Sequence, residues 1–465
     1  MRQIDGRDAI FLYAEKPGAG QVLMPVVFFA SAGELPDRAE ILAWLVDRAA
    51  GHEVLTSRMV RVPFDLDHPY WVPDPDFDPA DHITFHERAC WSGLRGELAR
   101  IAQEPLNLSR PLWEAHVFTS VHGVPGVDGE VVAVAFRFHH MAVDGRLAVE
   151  VIRRFFGATT PLAAVTPPPR LPSAFALWAR AVRRIPANAS GSARAVVRAR
   201  SARKAMLVAV REGRYPVPKA TRPRTALNQP LGPDRVVDTI YLSLSELKSL
   251  SVQIGDVTVN DLVLTAVARA VWAYLGEIGA RPSDNLAAAV PFSESERDPA
   301  GTRNQFVTMS VDLHNDVADP VEQVRAIHRA VQSERLRTAS AESAVLDAVG
   351  GSLPGFLIRG ALAVLRALPR PADRPISQVN MLVSSVPTGP GELVLGDAVA
   401  VGGCSVVPLI GLGGVAHSAS AVGDVFGISC TADPSQLTDL DRYVELIRMA
   451  FEEIRAAVEP IPVAV

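Results

Sequence analysis

Val131-Val132-Ala133-Val134-Ala135-Phe136-Arg137-Phe138-His139-His140-Met141-Ala142-Val143-Asp144-Gly145-Arg146 is the stretch from which the rest of the chain is read. The part before His139 is β-branched, small or aromatic and predicts a largely buried strand over 131–138. Side chains alternate across a strand, so His139 and His140 point to opposite faces, and only one can look into a given cleft. Asp144-Gly145 is a turn signal. A helix is predicted over Arg146–Phe156, because positions 147, 148, 151, 152 and 155 form one apolar stripe opposite Arg146, Glu150, Arg153 and Arg154. A strand–loop–helix unit therefore offers a titratable ring at the point where the strand stops.

An imidazole has an ordinary pKa of about 6.5, so near neutrality the free ring can take a proton from a hydroxyl. Asp144, four residues beyond His140, is spaced to fix the loop or the ring. Gly145 is expected to supply a backbone angle that other residues resist. A strand-end histidine pair satisfied by hydrogen bonds, followed by an ordinary Asp-Gly turn, would give the same local pattern. The whole HHxxxDG string is more specific than a lone histidine.

At these residues the chain resembles the HHxxxDG acyltransferases that use CoA thioesters. Further strings narrow the resemblance to the bacterial wax ester synthase/diacylglycerol acyltransferase family. Arg110-Pro111-Leu112-Trp113-Glu114 resembles its PLW element, and Val259-Asn260-Asp261-Leu262-Val263-Leu264 its ND element. Asp319-Pro320-Val321-Glu322 and Asn380-Met381-Leu382-Val383-Ser384-Ser385-Val386-Pro387 resemble later blocks, and Trp71-Val72-Pro73-Asp74-Pro75-Asp76-Phe77-Asp78 also fits. The order of these blocks spans nearly the whole chain. The resemblance implies an α/β fold: two chloramphenicol-acetyltransferase-like domains with mixed sheets and flanking helices, and an active-site channel between them.

Composition agrees with a large folded protein. The 465 residues are 48% hydrophobic, and a chain of this length suggests two domains. Cys90, Cys404 and Cys430 have no paired spacing, which argues against a disulfide framework or zinc knuckle and fits a reducing cytoplasm. Met1-Arg2-Gln3-Ile4-Asp5 has no apolar core of a secretion signal, and the uncharged run 398–423 is broken by glycines, Pro408 and His417. A cytoplasmic protein, soluble or peripheral at a membrane or lipid droplet, is the expectation. Net charge is −5, yet residues 170–224 hold fourteen Lys/Arg against Glu212 alone, so this segment carries +13 and the remainder −18. Such an island suits an anionic partner, such as phospholipid headgroups or CoA phosphates, or else a solvated linker. Its charges spread round the helical wheel, so any attraction would be mainly electrostatic and weakened by salt.

Strand-like and helix-like segments alternate throughout. The expected division is a first domain over 1–156, a proline-rich then basic crossover over 157–235, and a second domain over 236–465, opening with a strand near Val236–Leu244 and a helix at Ser245. A helix from Asn260 to about Tyr274 is predicted, with Thr258 or Asn260 as its cap. Capping alone accounts for the Asn260-Asp261 pair, while the family places it near the active site. Trp113 reads as a buried strand residue opposite Leu112, and the family element around Pro111 is thought to shape the acyl pocket. Leu353–Leu368 is unusually apolar, with Arg359 and Arg366 its charges, and reads as core, tunnel lining or an interfacial segment.

Other signals fall away. His82 and His86 have a helical chelate spacing, but Ile83-Thr84-Phe85 favours a strand, and Asp74, Asp76 and Asp78 lack the later glycine and glutamate of a calcium loop. No GxSxG, P-loop or GxGxxG string occurs, and His116, His122, His314, His328 and His417 have no motif around them. No metal, no resident cofactor and no nucleic acid are expected. The partners implied are acyl-CoA as co-substrate and a lipid alcohol or diacylglycerol.

The resemblance implies an acyl-CoA-dependent O-acyltransferase making triacylglycerol or wax ester. His140, the second histidine of the pair, takes the position of the general base, with His139 in packing or hydrogen bonding. Asp144 is expected to hold the loop through an arginine, and Asn260 and Ser384 are candidate oxyanion donors beside backbone N–H groups. The chain departs from the family pattern at Ser385, where asparagine is usual, at Thr388 inserted into VPGP, and at Arg303, where Gly-Asn is expected as the pair with Asn304. Two rivals stand beside this reading. One is a condensation-domain-like acyltransferase, which predicts an adjoining carrier domain. The other is a catalytically weak homologue acting as a lipid-surface scaffold.

Overall fold

A computed structural model describes the chain except residues 16–19, 50–51, 158–172, 216–218, 220, 294–303, 305, 369–374, 378, 387–391, 410 and 459–465. Two large mixed sheets are built from β1 (Val22–Ala30), β2 (Ile83–His86), β3 (Trp113–His122), β4 (Glu130–His139), β5 (Val236–Ser243), β6 (Ala287–Ser293), β7 (Phe306–Asp312), β8 (Met381–Ser385), β9 (Val394–Leu395), β10 (Ala398–Val406), β11 (Val415–Val422) and β12 (Val425–Ala432). The first sheet runs β9-β10-β1-β4-β3-β2, with Ala89–Cys90 also paired to β3. The second runs β5-β12-β11-β8-β6-β7. Late strands β9 and β10 lie in the first sheet, β10 pairing antiparallel with β1 from Val399↔Ala30 to Val406↔Met24. The first sheet thus joins strands from the first and last parts of the sequence, while every strand of the second comes from residues 236–432. The flanking helices used below are α1 (Gly6–Ala14), α2 (Gly145–Phe156), α3 (Ala174–Arg211), α4 (Val259–Glu277), α5 (Pro320–Thr338), α6 (Ala341–Gly351), α7 (Gly355–Ala367) and α8 (Leu440–Val458).

The predicted strand over 131–138 is β4, and its alternation sorts two cores. Val132, Val134, Phe136 and Phe138 pack with Trp113, Phe155 and Phe156 on one side. Val131, Ala133 and Ala135 pack with Leu94 and Leu98 on the other. A strand covered on both faces needs apolar residues at every position, which is why this run lacks polar alternation. Each buried Phe contributes on the order of 2 kcal/mol of apolar burial. Arg137 is 2% exposed, and its charge is met by Glu114 and the Glu104 carbonyl.

The second core wraps α4, which is buried on nearly all sides against α8 and the second sheet. Thr258 and Asp261 form a reciprocal capping box at its start. The basic segment is largely helical: α3 spans Ala174–Arg211 with Pro186 inside it, while the proline-rich part expected before it lies outside the described residues. No single described helix is long and apolar enough to cross a membrane.

Candidate active site

The loop after β4 puts the two histidines to opposite uses. His139 is fully buried, and its Nδ1 accepts the Met141 N–H at 3.0 Å. The proton of the neutral ring therefore sits on Nε2, which donates toward Glu15 Oε2 at 3.4 Å. Burial raises the Glu15 carboxyl, but hydrogen bonds from His139 and the Gln21 backbone help to outweigh it, and the pKa lies below the usual range. His139 is tied further by its N–H to the Leu112 carbonyl, and His140 by its N–H to the Gln21 carbonyl at 2.7 Å.

His140 keeps a little solvent exposure but stands among dense protein. Its ring stacks on Phe11 at 4.0 Å between centroids and 8° between planes, with Phe306 tilted at 5.6 Å. His140 Nδ1 lies 2.8 Å from Asn304 Oδ1. The Asn304 amide orientation follows from its other partners, since Nδ2 faces two acceptors, the His140 carbonyl at 2.8 Å and Asp8 Oδ1 at 3.0 Å. The atom facing Nδ1 is therefore the amide oxygen, which only accepts. Nδ1 must donate, and the lone pair is left on Nε2. Asp8 also accepts the Asn304 backbone N–H at 3.0 Å. Burial pushes the His140 pKa down from 6.5 to about 4, against its own carbonyl, the Asp144 charge and the Asn304 bond, all of which favour the proton. Neutral at pH 7, with its tautomer fixed by an amide, the ring presents an Nε2 lone pair that accepts no hydrogen bond among the described residues.

Asp144 and Gly145 both serve the loop, Gly145 by different means than expected. The Asp144 carboxylate caps α2, accepting the Leu147 N–H at 2.8 Å, so the helix start itself holds the loop. Gly145 has no left-handed backbone; its reason is space, because a Cβ there would sit 2.9 Å from Val386 Cγ2. Val386 follows β8 of the second sheet, so this glycine lets the two sheets close on the histidine loop. Alanine normally gains about 0.5–1 kcal/mol over glycine in a helix. Gly145→Ala is expected to lose that gain and destabilise by about 1 kcal/mol, and Val386→Ala in the same chain to restore it, as read by urea unfolding of the single and double variants.

The remaining sequence candidates spread outward from this centre. Pro111 and Leu112 lie buried directly behind His139. Trp113 is 1% exposed, donates Nε1–H to the Leu55 carbonyl at 2.8 Å and stacks on His82 at 4.8 Å, so it belongs to the first core. Asp261 caps α4 and also meets His328 Nδ1 at 2.8 Å, while Asn260 Oδ1 finds no hydrogen-bond partner among the described residues. The Asp261 carboxylate thus engages Thr258 and His328, residues outside the His140 loop. Ser384 lies half-buried on β8, opposite Ser418 of β11 and two residues before Val386. Ser385 ends the same strand, whereas Thr388 and Arg303 lie outside the described residues. His417, read as structural or surface, is fully buried between the Leu382 carbonyl and Tyr443 Oη at 2.8 Å.

Asp8, Phe11, Glu15 and Phe306 were not singled out in the sequence. Asp8 and Phe11 stand three apart on one face of α1, which is the only local signal they carry. Asn304 was visible as half of a departing Arg303-Asn304 pair, but its reach across 164 residues to His140 was not.

The chain matches the family model described as wax ester synthase/diacylglycerol acyltransferase catalytic domain over residues 4–263, and the WS/DGAT C-terminal domain over 302–455. A protein of Mycobacterium tuberculosis (strain ATCC 25618 / H37Rv), provisionally named a diacylglycerol O-acyltransferase, is 30% identical over 409 residues, covering 84% of each chain. A second from the same strain, with the same provisional name, is 27% identical over 476 residues, covering 98% of this chain and 96% of that one. Among solved structures, the wax ester synthase/diacylglycerol acyltransferase from Marinobacter aquaeolei VT8 superposes with a TM-score of 0.69 at 19% identity, covering 99% of this chain and all of that one (100%). The starter condensation domain of rhizomide synthetase, solved with C8-CoA, superposes at 0.52 with 14% identity, covering 100% and 97%, and shows the same fold. The first family match contains His140 and the second contains Asn304, the two sides of the site described above. With both halves matched in order, the chain belongs to the wax ester synthase/diacylglycerol acyltransferase family.

Proposed function

We propose that this protein transfers a long-chain acyl group from acyl-CoA to the hydroxyl of a diacylglycerol or fatty alcohol, with His140 as general base. The observation that carries this reading is the His140 Nε2 lone pair, left free by the Asn304 amide in a chain of this family. In the proposed step the acceptor oxygen attacks the thioester carbonyl while Nε2 takes the hydroxyl proton. The tetrahedral oxyanion then expels the thiolate as the C–S bond breaks, and the imidazolium returns the proton to sulfur. A thiol has an ordinary pKa of about 8.5. An imidazolium with a pKa of about 4 in this setting therefore gives the proton up downhill. Asp144 and Asn304 both favour the charged ring, so they lower the cost of the intermediate in which it forms. The same direct attack needs no serine or cysteine nucleophile.

Release of free thiol from palmitoyl-CoA, measured with dioleoylglycerol and with hexadecanol as acceptors, tests the proposal. Acceptor-dependent thiol release with ester formed in equal amount is expected. Thiol release that no acceptor stimulates, across a panel of alcohols and acyl lengths, would leave the scaffold reading in its place.

A further inference from the structure

Five large apolar side chains of the α7 region face solvent. Phe356, Leu357, Val364, Leu365 and Leu368 are 46, 46, 62, 54 and 53% exposed, while Ile358 turns inward at 6%. Arg359 leaves this face to meet Asp65, which Arg61 also contacts at 3.1 Å. Between them, in the turn Pro63–Asp65, Phe64 is 83% exposed. Its φ of 61° lies in the left-handed region that a phenylalanine rarely adopts, so the chain spends strain to hold an aromatic ring in water. Phe64 and Phe356, with Tyr13, Gly360, Ala363 and the Asp65–Arg359 pair, line an open hollow of about 450 Å³.

On the other side of the same turn lies α3. Its residues Phe175, Trp178, Val182 and Ile185 recur at helical spacing and are 72, 38, 37 and 45% exposed. Leu177 and Ala181, one step round the helix, are buried on Val62, Tyr70 and Val72 and fix this stripe beside the Phe64 turn. Neither α3 nor α7 contains an aspartate or glutamate, while α3 carries Arg180, Arg183 and Arg184 next to the stripe. Contiguous exposed apolar surface of this kind marks an interaction face. A protein partner calls for a polar rim with directional hydrogen bonds. Large apolar side chains flanked by cations, with the one acid of the Phe64 turn, Asp65, buried and paired to Arg61 and Arg359, suit a phospholipid headgroup boundary instead.

We propose that the outer face of α7, the Phe64 turn and the Phe175–Ile185 stretch of α3 dock together on a phospholipid-coated surface bearing anionic headgroups. The proposal rests on the lipid-substrate reading and shifts the contact from the basic charge of 170–224 to an apolar face, with the arginines assisting. The face lies one helix from the chemistry: Tyr13 in the hollow belongs to α1, whose Asp8 and Phe11 hold Asn304 and His140.

Co-sedimentation of the intact protein with phosphatidylcholine vesicles, with and without phosphatidylglycerol, reads docking without reference to turnover. Binding to the mixed vesicles is expected, weaker to phosphatidylcholine alone. Much of it should persist at about 1 M salt, where charges are screened beyond about 3 Å. Replacing two exposed leucines, Leu357→Ser with Leu365→Ser, should lower vesicle partition by about tenfold or more. Turnover of a water-soluble short acyl-CoA and short alcohol should stay unchanged in that variant, separating lost docking from lost fold or lost chemistry. Three outcomes overturn the proposal. The intact protein fails to sediment with either vesicle, the double variant sediments as well as the parent, or the parent is a dimer that the double variant dissolves, which would give the face to a second copy.

Discussion

His140→Ala lowers kcat for acyl transfer by about 10³-fold, the middle of the range for removing a general base, with little change in KM. The expectation follows from what the ring touches. Its Nδ1 is committed to Asn304, its face to Phe11, and its backbone N–H to Gln21, leaving Nε2 as the atom with chemistry to do. Alanine keeps the backbone bonds that shape the loop, so the fold should survive and the loss should fall on the proton transfer. The pH profile of the parent carries the same signature. A base must be unprotonated, and with its pKa pushed down to about 4 by burial the ring is free throughout the neutral range. Activity limited by His140 is therefore flat from pH 7 down to about pH 5 and falls as pH drops through about 4. An acid limb near the ordinary 6.5, or turnover in His140→Ala equal to the parent's, would remove His140 from the role of base.

Asn304→Leu is expected to cost about 10²-fold in kcat, again with KM nearly constant, because a misoriented or wrongly protonated base is nearly as useless as none. Leucine keeps the branched heavy-atom outline of asparagine but offers Nδ1 no acceptor, so the ring is free to place its proton on either nitrogen. The consequence extends to Asp8, whose carboxylate accepts both the backbone and side-chain N–H of Asn304 and so aims the amide. Asp8→Asn retains an acceptor oxygen and should be the milder change, about tenfold. That ordering, read as kcat against KM with thermal melts alongside, distinguishes positioning of the base from general weakening of the fold. Equal turnover in Asn304→Leu and the parent would show that the tautomer is set elsewhere.

Much of the site's architecture was legible in local sequence. Strand alternation alone separates His139 from His140, and the fully apolar run before them reports a strand covered on both sides. The cap of α4 follows from Thr258 placed just before helical periodicity, and it is present with Asp261 completing the capping box, whereas Asp144, which caps α2, reads locally only as a turn. Gly145 shows the limit of that logic. A glycine beside a turn reads as conformational freedom, but its backbone is ordinary and the demand comes from Val386, a residue of the other sheet.

What the sequence by itself determined is therefore the periodic and the chemical: the buried strand, the loop that ends it, the helix after it, and the histidine available to act. These depend on contacts within a few residues, whose geometry the backbone fixes. Tertiary structure decided the rest. It brought Asn304 from the second half of the chain and Asp8 and Phe11 from the first helix onto His140, and so selected the tautomer and the pKa. It carried β10 into the first sheet and turned the apolar stretch of α7 outward instead of into a core. Such outcomes depend on which distant surfaces bury one another, and hydrophobic burial has no direction along the chain by which sequence could announce its partner.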